Sequence, residues 1–221
     1  MSKEEEKKKI QESDRTGLGP ISRREFAISS MAILGTSAGA DAAAKAAPQP
    51  IMQTGDAPTR TIAAAVSEAA QTIRITVNNW KYELKVEPEW ILRDVLRDQL
   101  GFLSIKDMCN GYGACGSCTV IMDGRPILSC MMLAAECDGV TIETAEGVAA
   151  AKPELIEAYV MNHCMQCGYC TPGFVVTAKA LLDRHAKPGE EEIRDALGGN
   201  ICRCGTYPQH ILAVKEATGN A

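Results

Sequence analysis

Two segments near the middle of the chain alternate between apolar and polar residues. The first alternation covers residues 73–77, the second covers residues 82–86, and Asn78-Asn79 lies between them. Alternation with a period of two is typical of half-buried β-strands, and paired asparagines favour a tight turn. The pattern therefore predicts a β-hairpin over residues 72–86.

After the hairpin the apolar residues follow helical spacing, and further along the chain the alternation typical of strands returns. Apolar residues recur at helical intervals from 91 to 100, and Gly101 is placed to end that helix. A cysteine-containing loop follows, and residues 119–128 predict a second hairpin with Asp123-Gly124 at its turn. A short strand at 140–143 closes the segment. We therefore predict a small α+β domain over residues 72–147.

The last third of the chain shows helical spacing throughout, interrupted by Pro, Gly and cysteine loops. The predicted helices cover residues 153–166, 172–186, 190–198 and 208–217. We therefore predict an all-α domain over residues 148–221, a bundle of about four short helices.

The first 71 residues carry no such core pattern. Residues 1–21 are polar, and Arg23-Arg24 precedes a weakly apolar run at 27–40 that is too short to span a bilayer. Paired arginines before such a run resemble a twin-arginine export signal, and the alternative is a disordered basic tail or a poor helix. We predict a signal peptide at 1–44, a linker at 45–71 and a periplasmic protein exported already folded.

Composition narrows the class of protein. The chain has 221 residues, 46% of them hydrophobic, with a formal net charge of −5. This charge argues against nucleic acid as a partner. We predict no transmembrane segment. Ten cysteines are many for this length and must be disulfides, metal ligands or redox thiols. Export of a protein folded in the cytosol favours a preloaded cofactor over disulfides.

Eight of the ten cysteines form two sets of four, one in each predicted domain. The first set is Cys109, Cys115, Cys118 and Cys130, and the second is Cys167, Cys170, Cys202 and Cys204. Four thiolates are what a [2Fe–2S] cluster requires, and glycines around the first set allow backbone N–H groups to approach the sulfurs. Cys137 and Cys164 remain, and we predict that neither is a ligand.

Other interpretations of these residues are weaker. Residues 111–116 satisfy a dinucleotide-binding G-x-G-x-x-G pattern, but a β-rich segment follows where a helix is needed. Spacing alone leaves structural zinc open. The Cys-x-x-Cys pairs do not lie in a thioredoxin-like βαβ unit, and Cys164, Cys167 and Cys170 only begin a [4Fe–4S] motif.

Residues outside the two cysteine sets have no predicted catalytic role. The three histidines, His163, His185 and His210, are expected to have surface or packing roles, and no residue of the chain is predicted to be catalytic. Met131-Met132 is expected to fill the core.

Two long motifs carry a resemblance to a known family. The first is Cys-Gly-Ser-Cys-Thr-Val at 115–120 with Ser129-Cys130, and the second is Gln-Cys-Gly-Tyr-Cys-Thr-Pro-Gly at 166–173 with Gly-Asn-Ile-Cys-Arg-Cys at 199–204. Over residues 72–217 the chain resembles the iron–sulfur small subunit of the molybdenum hydroxylases, the xanthine dehydrogenase/aldehyde oxidoreductase family. The resemblance disfavours zinc.

The resemblance implies a ferredoxin-like β-grasp domain followed by a four-helix domain, each with one [2Fe–2S] cluster. It implies a large partner subunit that carries molybdopterin and hydroxylates aldehydes or N-heterocycles, with an FAD subunit or a c-type cytochrome as further partner. Electrons would pass from molybdenum to the second cysteine set, then to the first, then to an acceptor. The alternatives are a free-standing ferredoxin-like carrier and a metal-bound structural module.

Two departures from the family pattern bear on these expectations. Five residues separate Cys109 from Cys115, where the family usually has four. Cys204 is followed by Gly205-Thr206-Tyr207 where many members have Thr-Gly-Tyr. That variant resembles the branch that pairs with a cytochrome and lacks a flavin subunit.

Overall fold

Both predicted hairpins are present in the structure, a computed structural model that describes residues 59–62 and 66–219. Strand β2 (Gln71–Val77) pairs antiparallel with β3 (Trp80–Val86), and β4 (Thr119–Met122) pairs antiparallel with β5 (Arg125–Leu128). The two residues of each turn, Asn78-Asn79 and Asp123-Gly124, all have positive φ. Two left-handed residues give the turn a twist that matches the twist of the strands, which explains why Asn, Asp and Gly occupy these positions.

The hairpins join in one mixed sheet. Strand β6 (Thr141–Glu143) lies between them, parallel to β2 and antiparallel to β4. At one edge β1 (Arg60–Ile62) pairs parallel with β3, and these three residues fall within the segment 45–71 that the sequence assigned to a linker. Six strands of the described residues thus follow the order β1-β3-β2-β6-β4-β5.

One helix covers the apolar face of this sheet. Helix α1 begins as an α-helical turn at Leu92–Asp94 and continues as a π-helical turn at Val95–Gln99. Leu92, Val95 and Leu96 are fully buried against the strand residues that alternate inward. The sequence predicted a regular helix here, because apolar spacing does not distinguish the two forms of helix.

The second half of the chain is helical. Its helices are α2 (Ala145–Ala151), α3 (Pro153–Met161), α4 (Thr171–Arg184), α5 (Glu190–Leu197) and α6 (Tyr207–Ala217). They pack around Phe174 and Tyr159, both buried. Helix α2 was not predicted, since Gly147 and a run of alanines leave it almost no apolar periodicity.

The mixed sheet followed by a helical half confirms the predicted α+β fold class. The predicted signal peptide lies outside the described residues. None of the helices in the described part of the chain is long and apolar enough to cross a membrane. One packing prediction was wrong: Met131 is 62% exposed, and only Met132 packs against the core.

Candidate iron–sulfur sites

The first four cysteines come together where the loop after α1 meets the end of the second hairpin. Cys109, Cys115 and Cys118 lie in the loop, and Cys130 lies in a 3-10 turn (Ser129–Met131) that follows β5. Ser129 anchors this turn, since its N–H (3.3 Å) and its hydroxyl (2.7 Å) both donate to the Cys118 carbonyl oxygen. Cys130 is thereby placed beside Cys118.

The loop wraps around the sulfur of Cys109. Asn110, Gly111 and Gly113 have positive φ, so the chain curls and its backbone N–H groups point inward. Burial alone raises the pKa of Cys109, but N–H groups of Ala114, Tyr112 and Cys115 and the thiol of Cys115 lower it to about 7. The unusual five-residue spacing is absorbed by these left-handed positions, and Cys109 remains in the group of four.

The second four cysteines come from two loops of the helical half. Cys167 and Cys170 precede α4, and Cys202 and Cys204 lie between α5 and α6. The sulfurs of Cys167 and Cys204 are 3.6 Å apart, and Cys170 contacts Cys202. The structure therefore brings together all four cysteines of this set, with Cys170 and Cys202 buried and Cys167 exposed.

The raised pKa values of one cysteine in each set indicate that the four thiols of a set need a cation among them to ionise together. In the first set the pKa of Cys130 is raised to about 12 by burial and by neighbouring Cys118 and Cys109. In the second set the pKa of Cys170 is raised to about 12 by burial and by Cys202 and Cys167. Such crowded thiols cannot all ionise together unless positive charge lies among them, as iron would supply. The donor sets therefore fit two four-thiolate iron–sulfur clusters.

The two remaining cysteines are placed differently. Cys137 and Cys164 are both completely buried, one in the core of each half. Burial and the carboxylates of Glu136 and Asp123 raise the pKa of Cys137 to about 11. Burial and Glu216 raise that of Cys164 to about 12. No cysteine contributes to either shift, and both side chains lie in the apolar core. That neither cysteine is a cluster ligand stays a prediction.

The loops of the two sets touch each other directly. The N–H of Ile201, which precedes Cys202, donates to the carbonyl oxygen of Cys115 (2.9 Å). Beside it the Asn200 side-chain amide donates to the carbonyl oxygen of Gly116 (3.0 Å). Sequence reasoning noted Asn200 only as part of a motif, because its partner lies 84 positions away in the chain.

The histidines mostly follow the prediction. His163 and His185 are exposed, and His210 is fully buried in the helical core. His210 also lies close to the second set, since one ring nitrogen is within 4.8 Å of the sulfurs of Cys170 and Cys202. Burial lowers the pKa of His210 to about 4, which leaves the ring neutral. Its proximity to the cysteines was missed, because the sequence offers no spaced ligand pair.

The glycine-rich loop does not have the structural surroundings of a dinucleotide-binding site. The glycine-rich loop at 111–116 is followed by a loop and strand β4, not by a helix whose N-terminus could bind a pyrophosphate.

Comparison with known families matches both halves. Residues 75–149 match the model of a 2Fe-2S iron-sulfur cluster binding domain, and residues 144–215 match that of a [2Fe-2S] binding domain. Each model covers one of the two cysteine sets. The expected cofactor class, [2Fe–2S] in both halves, is therefore confirmed.

Similar proteins match about two thirds of the chain. The small FeS subunit of nicotinate dehydrogenase from Eubacterium barkeri is 45% identical over 148 residues, which are 66% of this chain and 94% of that subunit. The iron-sulfur-binding subunit of xanthine dehydrogenase from Escherichia coli O157:H7 is 42% identical over 152 residues, 66% of this chain and 92% of that subunit.

A solved structure has the same fold as this chain. Quinoline 2-oxidoreductase from Pseudomonas putida 86 contains a chain that superposes with a TM-score of 0.65 at 36% identity, covering 70% of this chain and 96% of that chain. The class defined by fold and site is thus a double [2Fe–2S] electron-transfer protein. The chain belongs to the iron–sulfur small subunits of the molybdenum hydroxylases.

Proposed function

We propose that this chain relays electrons within a molybdenum-dependent hydroxylase, from the molybdenum cofactor of a large subunit to an external acceptor. Cys109, Cys115, Cys118 and Cys130 hold one [2Fe–2S] cluster, and Cys167, Cys170, Cys202 and Cys204 hold the other. The observation that carries this proposal is the hydrogen bond between the two loops. A ligand residue of the first set, Cys115, accepts it from the residue that precedes Cys202 (2.9 Å).

Buried residues of this chain hold the two cysteine loops in contact along the proposed route of electron transfer. When bound, each cluster would accept and release one electron at a time. Gly116, Ser117 and Asn200 line the junction and are all buried, so the contact between the two loops is shielded from solvent. Direct hydrogen bonding between the two loops suits electron transfer, which requires position and coupling and no catalytic side chain.

We propose that the large subunit docks beside the second cysteine set. Cys167 is exposed, and apolar side chains around this set reach solvent: Met165 (44%), Tyr169 (40%) and Ile201 (44%). Exposed apolar residues grouped around a functional site are typical of a protein–protein contact. We propose that the partner hydroxylates an aldehyde or an N-heterocycle, since nicotinate, xanthine and quinoline appear in the names of the similar proteins.

The acceptor and the location are inferred from the sequence. Gly205-Thr206-Tyr207 after Cys204 supports a c-type cytochrome as the acceptor, with an FAD subunit as the alternative. Arg23-Arg24 and the weakly apolar run after them support twin-arginine export to the periplasm.

Iron content and copurification test the function. After anaerobic purification from a host that builds clusters, we expect four iron atoms per chain, two distinguishable EPR signals and a copurifying subunit with molybdopterin. Zinc without iron would contradict the cluster assignment. Two clusters on a chain that copurifies with no partner would favour the free-standing carrier.

Exchange of both arginines tests the location. Arg23→Lys together with Arg24→Lys should leave the complex in the cytoplasm with both EPR signals intact, because the arginine pair is an export address and the cysteine ligands are unchanged. Lys7→Arg with Lys8→Arg is the matched control and should be exported normally. Periplasmic activity in the Arg23/Arg24 variant at the wild-type level would exclude the twin-arginine route.

A further inference from the structure

Thr206 occupies the N-cap position of α6 but does not cap the helix. A threonine at this position normally accepts a hydrogen bond from a backbone N–H two or three residues on. Here the side chain makes no capping bond. Its hydroxyl instead lies 3.1 Å from the sulfur of Cys202 and 3.1 Å from Nε2 of His210. The hydroxyl is also buried, with Thr206 only 4% exposed.

His210 is held firmly in place behind this hydroxyl. It follows Thr206 by one helical turn, which places both on the same face of α6. Its ring stacks on Phe174 at 3.9 Å between centroids with an interplanar angle of 3°, and Tyr159 lies 5.4 Å away. Nδ1 of His210 is buried without a hydrogen-bond partner among the described residues. Among the residues that the structure describes, the ring therefore has one hydrogen-bond partner, the Thr206 hydroxyl.

The direction of both hydrogen bonds follows from the chemistry of the sulfur. A cysteine that ligates iron is a thiolate and has no proton, so Thr206 must donate to Cys202. With its one proton committed, the Thr206 oxygen accepts from the Nε2–H of neutral His210. This tautomer also leaves Nδ1 as a bare acceptor, and an unpaired acceptor is tolerated more readily than a buried unpaired N–H. The three groups form a chain from His210 through Thr206 to Cys202.

We propose that Thr206 donates a hydrogen bond to the Cys202 thiolate and thereby raises the reduction potential of the second cluster, with His210 as the positioning residue that orients the hydroxyl. A donor to a ligand sulfur stabilises the more negative, reduced cluster more than the oxidised one. This inference rests on the proposed cluster at the second site.

The test is a redox titration of the complete complex followed by EPR. Thr206→Val keeps the shape of the side chain and removes the donor, and no capping bond is lost. We expect the reduction equilibrium of the second cluster to shift about tenfold towards the oxidised form, about 59 mV for a one-electron couple. The first cluster is the control in the same molecule and should keep its potential. Thr206→Ser, which keeps the hydroxyl, should restore most of the wild-type value.

His210→Phe separates the positioning role from packing. Phenylalanine preserves the stacking on Phe174 but has no N–H, so the potential should fall less than in Thr206→Val. The double variant should fall no further than Thr206→Val alone, because both residues act through one hydrogen bond. Full additivity of the two shifts, or an unchanged potential in both single variants, would overturn the inference.

A measurement on the unmodified complex covers the case in which the variants do not assemble the cluster. Hyperfine spectroscopy of the reduced second cluster should show a coupled proton that exchanges in heavy water, because the Thr206 hydroxyl points at a ligand sulfur. Absence of that proton, or the strong nitrogen coupling of an iron-bound imidazole, would overturn the inference while leaving the proposed function intact. Absence of the second cluster from the wild-type complex would overturn the proposed function itself.

Discussion

At the scale of single residues, the surroundings of each cysteine separate ligands from core residues better than burial does. Cys115, Cys130 and Cys137 are all buried, yet only the first two lie among other cysteine sulfurs. Cys137 donates instead to the carbonyl oxygen of Leu133 (3.4 Å), as a small core residue would. Crowding of thiols, and not depth, thus marks the proposed cluster sites.

Serine replacements test this separation. Cys137→Ser and Cys164→Ser should keep both EPR signals and cost about 1–3 kcal/mol, the cost of burying a hydroxyl in place of a thiol. The matched changes Cys130→Ser and Cys167→Ser should abolish or strongly alter one signal each, because a thiolate ligand is lost. EPR and thermal unfolding report the two effects. Loss of the first signal in Cys137→Ser but not in Cys130→Ser would refute the assigned fourth ligand.

At the scale of elements, a single carboxylate joins the loop before the first cysteine set to the start of the helical half. Glu146, in the first turn of α2, accepts hydrogen bonds from the N–H and hydroxyl of Ser104 and from the hydroxyl of Thr144. Burial raises the pKa of Glu146, but these donors outweigh burial and the net pKa is lowered. The ionised form is therefore the one that stabilises the fold.

The lowered pKa of Glu146 gives a pH-dependent prediction. A carboxyl with a lower pKa in the folded state contributes stability above its unfolded pKa, and that contribution is lost as the pH falls through the folded value. Glu146→Gln should therefore lower the thermal midpoint at pH 7 by several degrees, about 1–2 kcal/mol, and by much less near pH 3.

The control for this prediction is Glu157→Gln on the exposed face of α3, which should change little at either pH. An equal loss in Glu146→Gln at pH 7 and at pH 3 would show that the charge of Glu146 does not matter.

At the scale of the whole molecule, the two halves meet where three small or polar residues allow their backbones to approach. Gly116 lies in the first cysteine loop, and Gly173 lies in the first turn of α4. A Cβ on Gly173 would overlap the carbonyl oxygen of Gly116. Asn200 fills the remaining space, and its side-chain oxygen Oδ1 accepts a hydrogen bond from the Thr177 hydroxyl (3.0 Å). The contact between the two cysteine loops depends on this close approach.

Gly173→Ala tests the approach. The added methyl group should push the Gly116 loop away, which should destabilise the protein by about 1–3 kcal/mol and slow electron exchange between the clusters. Gly199→Ala is the matched control, because a Cβ there meets no atom within 4 Å. Thermal unfolding and rapid-freeze EPR measure the two effects. Wild-type stability and transfer in Gly173→Ala would show that the junction tolerates separation.

Strand alternation, turn residues and cysteine spacing are local properties of the chain. The features that depend on them could therefore be predicted from the sequence alone. Both hairpins, the division into a sheet half and a helical half, and two sets of four cysteines followed from them. Turns with left-handed residues need Asn, Asp or Gly at fixed positions. The turns at Asn78-Asn79 and Asp123-Gly124 could therefore be predicted from the sequence. Helix α2 was not, because its stability comes from packing between neighbours and not from its own apolar pattern.

Only the tertiary structure decided which residues act together across long separations in the chain. The π-helical turn in α1, the Ile201–Cys115 hydrogen bond and the Asn200–Gly116 contact depend on packing between elements. Thr206 and His210 are four residues apart on a helix, but their relation to the Cys202 sulfur required the loop to be folded. A sequence specifies which groups are available, and the folded chain sets the distances at which they interact.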